Sequence, residues 1–262
     1  MQLARKIRVA RGVPLAALLA VSALLAWPVR PAANPLDEVT FYTEQFPPLN
    51  FRQDGRLRGI AVDIAEAVLK KAGSNQRRGD FRLVQWSKGY GRAMARPDTV
   101  LFSTARVPER EDDFIFVAPF APARLVLFVR ERISPKPSNV RELIRSGIEV
   151  AVLRDDVGQQ VLQRRGVPRA QLVTTGSKAS AIELLRRERA DAWAYSANAG
   201  AYALQQHGLR DAYAITLTLK SGANYFAFNP ETDPAAIRAF RNAFYALKRE
   251  GRIAEIRNQY VR

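Results

Sequence analysis

Two arginines, Arg106 and Arg110, stand four residues apart in "LFSTARVPER", just after a Ser103–Thr104 pair and an apolar run. A guanidinium is a planar fork of donors that matches a carboxylate. Either arginine could hold an anion, or be a surface group paired with Glu109 or Glu111. Ser103 and Thr104 close an expected strand, and ligands of open α/β sheets sit at the carboxyl ends of parallel strands. Further on, "RDDVGQQ" sets Asp155 and Asp156 at the head of an expected helix, where either can cap free amides. Two acids there would repel an anion and would suit a positive group.

The residues for catalysis are fewer. The chain has one histidine, His207 in "QQHGL", expected at an exposed helix end, and no cysteine. No Ser-His-Asp set can be assembled, and no thiolate, disulfide or metal cluster is expected. Glu44 and Glu109 are acids with no evident partner for general acid–base work. Binding is therefore expected over catalysis, with no cofactor.

What must position these residues is a chain of 262 residues, 47% of them hydrophobic. That suits one large domain or two lobes of about 100 residues each. The N-terminus reads as an export signal: four basic residues in "MQLARKIRVARGV", the apolar "PLAALLAVSALLAW", then small residues at Ala32 and Ala33. The apolar stretch is short for a membrane span, although an uncleaved anchor is the other reading. Pro31 or Arg30 at the minus-three position makes the cleavage site imperfect. Residues 1–33 hold five basic residues and no acid, so the formal charge falls from +16 to +11 on their removal. The remaining basic residues are scattered rather than gathered in a stripe, so no nucleic-acid partner is expected.

The mature chain alternates strands and helices. Strands are expected at "EVTFYT", "FRLVQW", "TVLFST", "ARLVLFVRER" (123–132), "IEVAVL", "AQLVTT", "DAWAYS" and "GANYFAFN" (222–229). Helices are expected at "GIAVDIAEAVLKKAG", "DDVGQQVLQRRG" and "KASAIELLRRERA". A terminal helix carries Ile237, Phe240, Phe244 and Leu247 on one face, and a short helical tail follows. This pattern predicts two α/β units meeting near residue 128, joined by two crossing strands with a cleft between.

The stretches "FPPLNF" with "GIAVDIAEAV", "STARVPERED" with "FVAPF", "IEVAVL", "RADAWAYS" and "ALKREGRIAEIRNQYV" occur in an order that resembles the bacterial periplasmic solute-binding proteins of the amino-acid type, family 3, which serve ABC importers. The resemblance spans about Val39 to Tyr260. It implies a type II periplasmic-binding-protein fold of two α/β lobes joined by two hinge strands, each lobe a sheet flanked by helices. Lobe 1 would be residues 34–127 and 223–262, and lobe 2 residues 128–222. It further implies a monomeric periplasmic receptor that closes on a carboxylate-bearing solute, an amino acid or a relative, and delivers it to an importer permease in the inner membrane. Such a module can also hand its ligand to a sensor kinase, and some relatives of the fold are dehydratases. Sensors of this kind usually continue into a transmembrane segment, whereas this chain stops at Arg262.

By this resemblance Arg110 pairs with the ligand carboxylate, Ser103 and Thr104 assist, and Phe46 covers the ligand. Arg106, Trp86 and Tyr90 become candidate cleft residues, and Asp63 is expected to be structural. The sequence departs from the family at two places. Asp155 and Asp156 stand where a glycine and threonines are usual. The acid that pairs with a ligand ammonium falls at Ser196, which cannot supply a full counter-charge. Asp155 or Asp156 could replace it, or the ligand could be a carboxylate without a free amine.

Overall fold

The computed structural model describes residues 33–260, of which Asn34 onward form one compact unit. The expected export signal, apart from Ala33, lies outside the described residues. Among those described, no helix is long and apolar enough to cross a membrane.

The first half of the chain supplies β1 (Thr40–Thr43), a hairpin of β2 (Phe51–Gln53) and β3 (Arg56–Arg58), α1 (Ile60–Lys71), β4 (Arg82–Leu83), α2 (Trp86–Ala95) and β5 (Thr99–Ala105). Two long strands follow the same course in opposite directions, β6 (Ile115–Arg130) and, much later, β10 (Tyr213–Phe228). Between them come α3 (Val140–Ser146), β7 (Val150–Leu153), α4 (Val157–Arg164), β8 (Leu172–Thr175), α5 (Lys178–Arg186), β9 (Ala192–Ser196) and α6 (Ala197–Gln206). The chain ends in α7 (Pro234–Arg249) and α8 (Arg252–Asn258). Hydrogen bonding runs unbroken through eight strands in the order β4-β1-β5-β10-β6-β9-β7-β8. The parallel groups β4-β1-β5 and β9-β7-β8 thus flank an antiparallel centre.

Alternation along each strand feeds two apolar layers. Phe41, Val100, Phe102, Phe226 and Phe228 pack with α1, α7 and α8, while their neighbours Tyr42, Leu101 and Ala227 pack with Trp86, Tyr90 and Ala93 of α2. The same holds in the other group. Val150, Val152, Ala192 and Ala194 face Leu143 and Leu162, whereas Ala151, Leu153, Trp193 and Tyr195 face Ile182, Leu185 and Leu204.

Three expectations change in extent. The strand expected across "FRLVQW" is only two residues long, because Trp86 opens α2 instead. Both crossing strands are also longer than expected, running over 115–130 and 213–228. The apolar run continues through "IFVAPF", and partners in β10 are available for the added length.

The tail is fastened by Tyr260, whose hydroxyl donates to Asp63 Oδ2 at 2.5 Å and accepts from the Gly59 amide at 3.2 Å. Asp63 also meets Arg78 at 3.1 Å, consistent with its expected structural role. Tyr260→Phe loses both bonds. It is expected to lower the melting temperature by about 2–4 °C, from a net loss of roughly 1 kcal/mol, measurable by differential scanning calorimetry. An unchanged melting temperature would exclude this fastening.

Candidate functional site

The strand ends of both parallel groups meet at a cleft lined by Glu44, Phe46, Trp86, Ser103, Ala105, Arg110, Asp156, Tyr195, Ser196 and Asn224, with Arg106, Arg124 and Lys220 toward its rim. Glu44 and Phe46 follow β1, Ser103 and Ala105 end β5, Asp156 precedes α4, and Tyr195 and Ser196 end β9. Each group therefore sits where a strand hands over to a turn, as in other open α/β sheets.

Arg110 lies in the short 3-10 turn after β5 and is 1% exposed. Its guanidinium carbon lies 4.9 Å from the ring centre of Trp86 and 5.1 Å from that of Tyr90. Nε donates to Gln160 Oε1 at 2.8 Å, and Nη2 to the Asp155 carbonyl at 3.2 Å. Nη1 donates to the Ala105 carbonyl at 3.5 Å. These bonds leave an N–H on each terminal nitrogen for a carboxylate in the cleft. Burial pulls the Arg110 pKa down, and Asp156 and Tyr90 oppose the shift.

Several bonds tie the walls across the cleft. Trp86 Nε1 donates to the Asp155 carbonyl at 2.8 Å, and Lys178 Nζ to the Gln45 carbonyl at 2.5 Å. Arg164 meets Glu109 at 3.4 Å. Lys178 also stands 5.9 Å from the centre of Phe46 and 5.7 Å from that of Tyr195. The Phe46 and Tyr195 rings meet edge to face at 6.0 Å, and Tyr195 stacks on Trp193 at 4.5 Å.

Of the candidates from sequence, Arg110, Ser103, Phe46, Trp86, Asp156 and Ser196 come together as cleft lining. Thr104 does not. Its side chain is fully buried and donates to the Leu101 carbonyl at 2.9 Å, because strand alternation turns it from the face that Ser103 and Ala105 share. Ser103 holds a positive φ of 65° and donates to buried Asn50. Arg106 lines the rim, but both arms of its fork are taken by Glu111 at 2.8 Å.

Of the two acids before α4, it is Asp156 that faces the cleft. Asp155 has φ 57°, which turns its carbonyl toward Trp86 and Arg110. Asp156 takes the cap position of α4, where the Val157 and Gly158 amides favour its charged form although no well-aligned side-chain cap bond forms, and its Oδ2 is buried with no partner. The Tyr195 hydroxyl is likewise buried and unpartnered.

Groups at the cleft that were not among the residues expected to bind ligand include Glu44, Lys178 and Tyr195, besides Asn224, Arg124 and Lys220. Burial pushes the Glu44 carboxyl up to about 7, with Lys178 pulling it back and Asp156 adding to the rise. Burial also raises Asp156, against the pull of Arg110. It lowers Lys178, against Glu44 and Asp156, and raises Tyr195 well above its ordinary value. Glu44 was legible as an acid just past a strand, but its neighbour Lys178 is distant in sequence. His207 ends α6 as an exposed residue outside the cleft, as expected. Among the described residues no cluster of possible metal ligands occurs.

Residues 39–262 match the model of the bacterial extracellular solute-binding proteins, family 3, and the chain belongs to that family. Solved structures show the same fold, the type II α/β periplasmic-binding-protein fold. A histidine kinase sensor domain similar to periplasmic binding proteins aligns with a TM-score of 0.73 and 23% identity, over 86% of this chain and 96% of that one. An ancestral arginine-binding protein bound to arginine aligns with a TM-score of 0.71 and 18% identity, over 86% and 99%. A substrate-binding protein of an ABC uptake transporter from Streptococcus pneumoniae, with bound histidine, gives 0.72 and 17%, over 87% and 94%. No match is found among curated proteins.

Proposed function

We propose that this protein is a periplasmic receptor that closes on a small carboxylate-bearing solute, an amino acid or a relative, and delivers it to an ABC importer permease in the inner membrane. The observation that carries this reading is Arg110, buried at the cleft wall against the adjoining rings of Trp86 and Tyr90, with an N–H left on each terminal nitrogen. A guanidinium placed there binds a carboxylate through two parallel bonds, and closure excludes the water that would compete. In this reading lobe 1 comprises residues 34–127 and 223–262, lobe 2 residues 128–222, and the receptor is monomeric. The protein is not an enzyme in this reading. The exposed position of His207, away from the cleft, favours that, as does membership of a solute-binding family.

A thermal-shift screen of residues 34–262 against amino acids, organic acids, opines and polyamines tests the reading, since a solute that binds only the folded state raises its melting temperature. A carboxylate-bearing solute is expected to emerge. Turnover of a prephenate-like acid, or a response to no solute, would overturn it. Delivery to a sensor kinase is the second reading, favoured by the fold's likeness to a kinase sensor domain. Import of the labelled solute by a reconstituted permease distinguishes the two.

A further inference from the structure

The fork of Arg110 is held from both walls of the cleft, and every group that holds it is neutral. Nε donates to Gln160 Oε1 at 2.8 Å, Nη2 to the Asp155 carbonyl at 3.2 Å and Nη1 to the Ala105 carbonyl at 3.5 Å. Asp156, Asp113 and Glu109 stand near enough for their charges to act on the arginine. Among the described residues, however, no carboxylate takes a hydrogen bond from it.

Only the longest of the three bonds comes from the wall that carries Arg110. The other two come from α4 and from the residue just before its cap. That helix belongs to the opposite wall, where its Val161 and Leu162 pack with Val150, Val152, Ala192 and Ala194. Ring contacts with Trp86 and Tyr90 keep the guanidinium near an aromatic face, but hydrogen bonds are what direct its N–H groups. The aim of the fork is therefore set chiefly from across the cleft.

Gln160 is itself held in one orientation. Arg110 Nε can only donate, so the amide oxygen of Gln160 faces it. Gln160 Nε2 then points at the Tyr90 hydroxyl, 3.5 Å away, and that hydroxyl donates to Asp113 Oδ2 at 2.8 Å. The carboxylate at the far end accepts, so each link runs in one direction and the amide is not free to flip. A glutamate in place of Gln160 could accept the same bond from Arg110. It would also neutralise the guanidinium and compete with a ligand carboxylate for it.

We propose that Gln160 is the positioning residue of the anion clamp: it reaches from α4 across the cleft, aims the fork of Arg110 on closure, and as a neutral acceptor leaves the arginine's charge to the ligand. The inference rests on reading Arg110 as the carboxylate clamp and adds the residue that ties its geometry to the opposite wall. A carboxylate entering an open cleft meets a fork that is not yet aimed, and full affinity arrives only as α4 docks.

Nuclear magnetic resonance on nitrogen-15-labelled residues 34–262 reads the hold on single N–H groups. The Arg110 Nε–H signal, assigned by its loss in Arg110→Lys, is expected to exchange slowly with water at pH 7, unlike those of exposed arginines. In Gln160→Leu, similar in size but without the acceptor, that signal should be lost to exchange. The Nε1–H signal of Trp193, fully buried in the core, should stay in place and marks an intact fold. In Gln160→Glu the Arg110 signal should persist, because an acceptor remains.

Acetate, a small carboxylate that fits the fork, is then titrated against all three proteins and followed on the Nε1–H signal of Trp86, beside Arg110. Its affinity should fall about tenfold in Gln160→Leu, the worth of one hydrogen bond to a charged group. It should fall at least as far in Gln160→Glu, where the new carboxylate engages the arginine. A role in packing alone predicts neither the lost Nε–H signal nor the weakening in Gln160→Glu.

Rapid exchange of the Arg110 Nε–H in the unaltered protein, or its persistence in Gln160→Leu, removes Gln160 as the holder. Equal acetate affinity in the unaltered protein and Gln160→Leu overturns the positioning role. Weakening in Gln160→Leu with none in Gln160→Glu overturns the part given to the neutral amide. If Gln160→Leu does not fold, the comparison of the unaltered protein with Gln160→Glu decides without it. A slowly exchanging Arg110 Nε–H with no response to acetate overturns the carboxylate clamp instead, and leaves the hold of Gln160 on Arg110 standing.

Discussion

Replacing Arg110 with alanine is expected to abolish detectable binding of any carboxylate solute that the unaltered protein takes. Removing one partner of a buried, hydrogen-bonded charge pair costs about 2–5 kcal/mol, which is roughly 30- to 5,000-fold in affinity. Three features place the effect at the upper end. The guanidinium is 1% exposed, so water cannot take its place. It packs against the adjoining rings of Trp86 and Tyr90, which lose their cation. Its bonds to Gln160 and the Asp155 carbonyl cross the cleft, so the variant also loses attraction between the walls that must close. Arg110→Lys keeps the charge without the fork and should fall between the two. Calorimetry on variants with an unchanged circular dichroism spectrum gives the measurement. An affinity within a factor of about three of the unaltered protein in Arg110→Ala would remove Arg110 from the site.

Gly158→Ala, the second large effect, acts on the scaffold under the site. Gly158 stands in the first turn of α4, two residues after Asp156, where that helix rests against β9. A Cβ built there would lie 2.5 Å from the carbonyl oxygen of Ala194, 3.3 Å from its carbonyl carbon and 3.4 Å from its Cβ. The obstacle is backbone in a central strand, so it cannot move aside as a side-chain tip would. Overpacking of this kind costs about 1–3 kcal/mol. For a domain of this size that lowers the melting temperature by roughly 3–10 °C. The helix can relieve the clash only by lifting its first turn, which carries Asp156 and the Asp155 carbonyl with it. Ligand affinity should fall together with stability, whereas a defect confined to the core would lower stability alone. A Gly158→Ala protein with an unchanged melting temperature would show that α4 does not need this close approach.

Much of the scaffold was legible from pattern. The apolar face of α7, the alternation in β1 and the continuous apolar run of β5 are local signals, and each element follows from its own residues. The place of Arg110 at the cleft wall was legible through the family resemblance of its segment, whereas residue type and spacing alone left it undecided against a surface arginine. Trp86 and Tyr90 show where local reading stops. Their segment contains Gly89 and Gly91, weak helix formers, and the strand-like residues before it drew the expectation across the boundary. Spacing Trp86, Tyr90 and Ala93 at helical intervals would have found α2. Thr104 was misplaced because hydroxyls at adjacent strand positions cannot share a face. The choice between Asp155 and Asp156 turned on a backbone angle at Asp155, which residue type leaves open. The environment of Glu44 is set by its burial and by Lys178 and Asp156, more than a hundred positions away, and no local pattern encodes that meeting.

The order of the strands bears on when this chain can fold. β5 needs β10 as its neighbour, and the layer around Phe41, Val100 and Phe102 is completed by Phe226, Phe228, Phe240 and Phe244. Synthesis runs from the amino end, so residues made early wait for residues made nearly last. Until then β5 has an uncovered edge and lacks the apolar partners from β10 and α7, a condition in which association with other chains is favoured. The group around β1 and β5 therefore cannot complete its packing until nearly the whole chain has been made.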